Sequence, residues 1–158
     1  MDSPVNDSDE QQYAAHAEAL RRCVIDAVPA WIDRVLEPFA LRADAVGREA
    51  ATAETIAAID ERLTVLATSD PDVAMSGPLE LIRQSTVPLQ RWLAGQGAAA
   101  PTRDPWDVRS SPDDVYELGP MTFRDLSEEV HVAGITWGAA KAHIHLRRRS
   151  QRPDDPSA

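Results

Sequence analysis

The 158-residue chain has one cysteine, one lysine and eight aromatic residues, and each shortage excludes something. With Cys23 alone there is no intrachain disulfide and no cysteine-based zinc site. So few aromatics leave Ala, Leu, Val and Ile to build the core. Long apolar runs are missing too: Val132 to Ala140 spans roughly nine residues where a membrane helix needs about 20, so a soluble protein is expected. The opening MDSPVNDSDEQQ is acidic where a secretory leader is basic and then apolar. Cytoplasm is the expected location. The motifs G-x-x-x-x-G-K-[ST], G-x-G-x-x-G, G-x-S-x-G and H-E-x-x-H do not occur. The commonest phosphate, dinucleotide, hydrolase and metallopeptidase signatures are therefore absent, and neither a cofactor nor an enzymatic activity is expected.

What is present is ordinary hydrophobic content, 43%, and a net charge of −10 placed unevenly. Residues 131–152 carry Lys141, Arg147, Arg148, Arg149 and Arg152 and no acid, whereas the preceding thirty residues are strongly acidic. An acidic protein repels nucleic acid at long range, because affinity there rests on neutralising phosphates. The basic C-terminal segment is a local feature in an adverse field.

Apolar residues recur at helical spacing and nowhere alternate long enough for a sheet. Residues 1–8 lack periodicity and are expected to form a mobile acidic tail. Tyr13, Ala17, Leu20, Val24, Ala27, Trp31 and Val35 then fall 3 or 4 apart, with Ile25, Ile32 and Leu36 as a second stripe, and Pro29 predicts a kink or a break. A second helix is predicted from about Arg48 to Thr68, facing inward with Thr52, Ile56, Ile59, Leu63 and Leu66. SDPD, residues 69–72, stops it. GPLE starts the next, with Gly77 as cap, Pro78 in the first turn, Pro88 as a kink or early end, and Gly95 and Gly97 as the close. Its main face is Leu79, Ile82, Thr86, Leu89 and Leu93.

Residues 95–121, punctuated by Pro101, Pro105, Pro112 and Pro120, read as a proline-rich acidic loop. Trp106, Val108, Val115, Tyr116 and Leu118 give it the anchors of a strap laid across the helices rather than of a free linker. Thr122 to Asp125 resembles a capping box, with a second cap at Ser127, and opens a final helix to about Arg149. The expected architecture is all-α: a single domain over 9–150, a bundle of four to five helices with a strap before the last, and a mobile tail over 151–158.

WGAAKAHIHLRRRS, residues 137–150, is the stretch richest in chemistry. On a helix, His143 and His145 point about 200° apart and cannot chelate one ion, so no metal is expected. The arginine run is explained first by the helix C-terminus, whose unpaired carbonyls attract cations. Docking of an acidic protein comes second and nucleic acid third. Ile135, Ala139, Ala142 and Leu146, with Val132 beside them, form one apolar face and are expected in the core. Trp137, Lys141, Ile144 and Arg148 lie opposite and, joined by Trp92, are expected to bind a partner, since interface centres favour aromatics and arginine.

PLELIRQSTVPLQRWLAGQG, PDDVYELGPMTFRDL and GITWGAAKAHIHLRRR together resemble a pattern of small helical proteins of high-GC bacteria, over about residues 78–149. The resemblance implies that Pro112 to Arg149 forms one structural unit, and it implies no activity. The functional expectation is a non-enzymatic cytoplasmic protein-interaction or regulatory module that meets a protein partner or itself. The alternatives are a nucleic-acid-binding protein using the basic last helix, and an enzyme or small-ligand binder without a recognisable motif.

Overall fold

A computed structural model describes residues 4–39, 44–71 and 77–151; of the tails expected over 1–8 and 151–158, residues 1–3 and 152–158 lie outside it, whereas 4–8 and Gln151 are helical. Periodicity over the first stretch becomes one helix, α1 (Pro4–Leu36), which reaches back to Pro4 and runs through Pro29. Pro29 lies on the exposed side of the helix, away from its packed face. Tyr13, Ala17, Leu20, Val24, Val28, Trp31, Ile32 and Leu36 are buried. The predicted face is thus right in phase, with Val28 added and Ala27 and Val35 at its edges.

α2 (Ala45–Thr68) starts at Asp44, whose carboxylate accepts from the Gly47 amide at 3.0 Å. A side chain at 47 would collide with that carboxylate, so the cap depends on glycine. Its buried face is Ala51, Thr55, Ile59, Leu63 and Leu66; Thr52 and Ile56 lie beside it rather than on it. α3 (Pro78–Gln84) and α4 (Val87–Gly95) replace the single predicted helix. Pro88 causes the break, because its ring excludes helical continuity through the turn before it. Ile82, Thr86, Leu89 and Leu93 remain buried as expected, and Gln90 joins them.

The strap contains one short helix, α5 (Pro105–Ser110), capped by Asp104 onto the Trp106 amide at 2.8 Å. It is fastened by polar groups more than by the predicted apolar anchors. Buried Asp114 accepts from the amides of Leu118 at 2.7 Å and Gly119 at 2.9 Å, and from Gln90 Nε2 at 2.7 Å. Gln90 Oε1 in turn accepts from the Tyr116 amide, and the Tyr116 hydroxyl donates to Ala98 O. Tyr116 also meets Phe39 edge-on at 5.6 Å. Tyr116, Leu118 and Pro120 are buried, whereas Trp106, Val108 and Val115 are exposed. A buried carboxylate with three donors is a satisfied one, and that is what holds the strap down.

A short 3-10 turn, Phe123–Asp125, follows, with Asp125 accepting from the amides of Met121 and Thr122, both at 2.9 Å. Ser127 then caps α6 (Glu128–Gln151) through the Val130 amide at 3.1 Å. No strand occurs among the described residues, and five of the helices exceed six residues. α1 is the centre. α2 runs antiparallel on one side of it, tied by Arg21 to Asp60 and by Arg48 to Asp33. α6 runs antiparallel on another, with Arg34 donating to the Asp125 and Leu126 carbonyls at one end and Arg147 meeting Asp9 at the other. α3 and α4 pack on α2, while α6 packs on α1 and on its own preceding turn. That makes α6 an edge helix, covered on one side. No helix among the described residues is long and apolar enough to cross a membrane.

Candidate interaction surface on the last helix

The two apolar faces of α6 are exchanged relative to expectation. Val130, Gly134, Trp137 and Ile144 are buried against the bundle. Val132, Ile135 and Leu146 are 57%, 59% and 66% exposed, and Ala139 and Ala142 between them are exposed as well. The face expected in the core is the outer one, and the face expected to bind a partner is largely core.

Two ring contacts, together with the Asp9–Arg147 pair, select this orientation. Trp137 packs beside Tyr13 of α1, ring centroids 6.4 Å apart, and its indole N–H lies near the Tyr13 hydroxyl without reaching hydrogen-bond geometry. Burial pushes the Tyr13 phenol above its ordinary range, an effect the indole N–H opposes. The Phe123 ring lies against Gly134, where an added Cβ would come within 2.4 Å of it. This is the close approach that a small residue at 134 permits, and the occupant is the turn before the helix. Gly138, by contrast, would meet nothing within 4 Å.

Each expected partner-binding residue now has a place inside the chain. Ile144 is 3% exposed and belongs to the core. Lys141 holds its ammonium 5.3 Å from the centre of the Trp137 ring, a cation–π contact that covers the indole. Arg148 pairs with Glu10 at 3.0 Å and Asp70 at 2.6 Å. Trp92 is half-buried on α4, which packs on α2, so it does not extend a surface on α6.

The arginine run is thus committed within the fold. Arg147 meets Asp9, a carboxylate only 13% exposed, and His143 Nε2 lies 3.5 Å from the same group. The anionic partners of Arg147 and Arg148 lie at the start of α1 and in the turn after α2. Arg149 projects outward at the end of the exposed face, with Glu128 and Glu129 at the other end. Among the described residues no group of three or more His, Cys, Asp or Glu could hold a metal ion.

One cleft lies under the strap, about 280 Å³, lined by Arg83, Arg103, Trp106 and Met121. Arg103 fastens the strap by donating to the Asp107 and Ser111 carbonyls, while Arg83 pairs with Glu80 within α3 at 3.1 Å. Among the described residues, Val132, Ile135, Ala139, Ala142 and Leu146 form an exposed apolar row along the outer face of α6.

Comparison with family models, with curated proteins and with solved structures finds no match to this chain, so residues and geometry alone carry the functional reading.

Proposed function

We propose that the chain is a non-enzymatic, cytoplasmic protein-interaction module whose working surface is the outer face of α6. The observation that carries this reading is the alignment of Val132, Ile135 and Leu146, each more than half exposed, along one side of a helix whose other side is packed. Single exposed apolar residues are normal on any protein, and Val46 and Val65 on α2 are of that kind. A row of them at spacings of 3 and 4 over about four turns is a seam for another helix.

Nucleic-acid binding is the weaker alternative, because Arg147 and Arg148 would have to leave Asp9, Glu10 and Asp70 to reach phosphate. A gel shift in moderate salt is expected to show no binding.

A photo-crosslinking residue at position 135, introduced in the organism of origin, tests the proposal. Discrete protein adducts are expected from 135 and not from Glu54, exposed on α2, and Val132→Glu should remove them. Absence of adducts, or equal labelling from both positions, would contradict the proposed surface.

A further inference from the structure

Resting on that reading of the α6 face, we infer that its partner is a second copy of this chain, docked antiparallel so that the two α6 helices form a symmetric pair.

The seam has its own register. Val132, Ile135, Ala139, Ala142 and Leu146 are spaced 3, 4, 3 and 4, the a and d positions of a heptad pattern. Laid antiparallel on itself, the stripe pairs Ala139 of one copy with Ala142 of the other at the centre. Ile135 then meets Leu146 on either side of that centre. The ends of the row place Val132 against Arg149. A two-fold axis repeats each pairing, as an isologous interface requires, and only Val132 of the row lacks an apolar counterpart.

Charge chooses the same orientation. Glu128 and Glu129 stand at the start of α6 and Arg149 at its end, all exposed. In the antiparallel pair the aliphatic stem of Arg149 lies over Val132 while its guanidinium reaches back one turn, about 5.4 Å, toward Glu128 and Glu129 of the other copy. A parallel pair would set these acids beside acids and arginine beside arginine, with the helix dipoles aligned. Glu129 is the better acceptor of the two, since Glu128 already meets Arg124 at 3.0 Å.

Small residues mark the centre. Gly138 adjoins the seam and would meet nothing if it carried a Cβ, so the packing within one chain does not call for glycine there. Gly138, Ala139 and Ala142 together let two helix backbones approach closely at the axis, with the larger Ile135 and Leu146 closing each end. The seam covers Val132 to Leu146, about 21 Å of helix at 1.5 Å per residue. A single helix–helix seam of that length buries less than a standard interface of about 1,200–2,000 Å², so a reversible dimer with micromolar Kd is expected.

Sedimentation velocity on the purified full chain over a range of concentration gives the test. A monomer–dimer equilibrium is expected, with Leu146→Asp raising Kd at least about tenfold, as loss of one of the seam's large apolar contacts does. Leu146 is exposed, so this variant keeps its fold, checked by circular dichroism. Arg149→Glu should weaken the dimer, and Glu129→Arg combined with Arg149→Glu should restore it. Orientation is read by oxidative crosslinking of Ile135→Cys chains mixed with Leu146→Cys chains, each carrying Cys23→Ser. Mixed dimers are expected to exceed self-crosslinked ones. A chain that stays monomeric to about millimolar concentration (the scale of a very weak complex), a dimer indifferent to Leu146→Asp, or preferential self-crosslinking would overturn the inference. A monomer whose position 135 still forms discrete adducts with another protein leaves the interaction surface standing and removes only the second copy.

Discussion

Trp137 and Ile135 stand two residues apart, both large and apolar, and composition does not distinguish their tasks. Their surroundings do. Trp137 is enclosed by Tyr13 and the Lys141 ammonium, while Ile135 is 59% exposed. Truncation should therefore separate them cleanly. Trp137→Ala is expected to cost roughly 3–5 kcal/mol, the usual loss for a buried aromatic, and Ile144→Ala roughly 2–5 kcal/mol. Ile135→Ala and Leu146→Ala should stay within about 0.5 kcal/mol, as surface changes do. Chemical denaturation at a concentration that keeps the protein monomeric measures all four. Equal losses at 135 and 137 would show that the outer face is also packed within a single chain.

At the scale of the element, α6 carries two glycines one turn apart with opposite consequences. Each lowers helix propensity by about 1 kcal/mol relative to alanine. Gly134 compensates by admitting Phe123, and its substitution drives a Cβ into that ring. Gly134→Ala is expected to destabilise by about 1–3 kcal/mol through overpacking, whereas Gly138→Ala should stabilise the monomer by up to about 1 kcal/mol. Thermal melts of the two variants give opposite signs if Phe123 is what Gly134 serves. Sequence periodicity identified α6 and its Ser127 cap, since both are local. It also identified the apolar residues of α3 and α4 and the proline that divides them. The strap was legible as ordered but not in its fastening. Asp114 and Gln90 look like any polar residues until the fold brings them 2.7 Å apart beneath the Tyr116 amide.

Across the whole molecule, charge ties helices that apolar contact has already brought together. Arg21 bridges Glu18 on its own helix and Asp60 on α2. The Arg21 guanidinium, helped by Arg22, pulls the Glu18 carboxyl down to about 2 from its usual 4.5. A carboxylate depressed on folding contributes stability that is fully present above its unfolded pKa and is lost as pH falls toward the folded one. The contribution from Glu18 should fade between about pH 4.5 and 2. Since its side chain is 36% exposed, salt screens the effect and its size is modest. Melting temperatures of the parent and of Glu18→Gln are expected to differ at pH 6 and to converge near pH 2, with a smaller gap in 1 M salt. A gap that persists at pH 2 would mean that Glu18 acts through packing instead.

What one dimension determined about this protein is its main helical stretches, the Ser127 cap and the break at Pro88, though not α5 or the Asp44 and Asp104 caps, and that the last helix is apolar on two sides. Those features depend on residues within about a turn or two of one another, and the 3.6-residue period exposes them directly. Which of the two sides faces inward is a different kind of question, because rotating α6 by half a turn leaves every local preference unchanged. The choice came from contacts between distant segments: Tyr13 beside Trp137, Phe123 over Gly134, and Asp9 beside Arg147. Tertiary packing decided it, and in doing so it turned the row from Val132 to Leu146 outward.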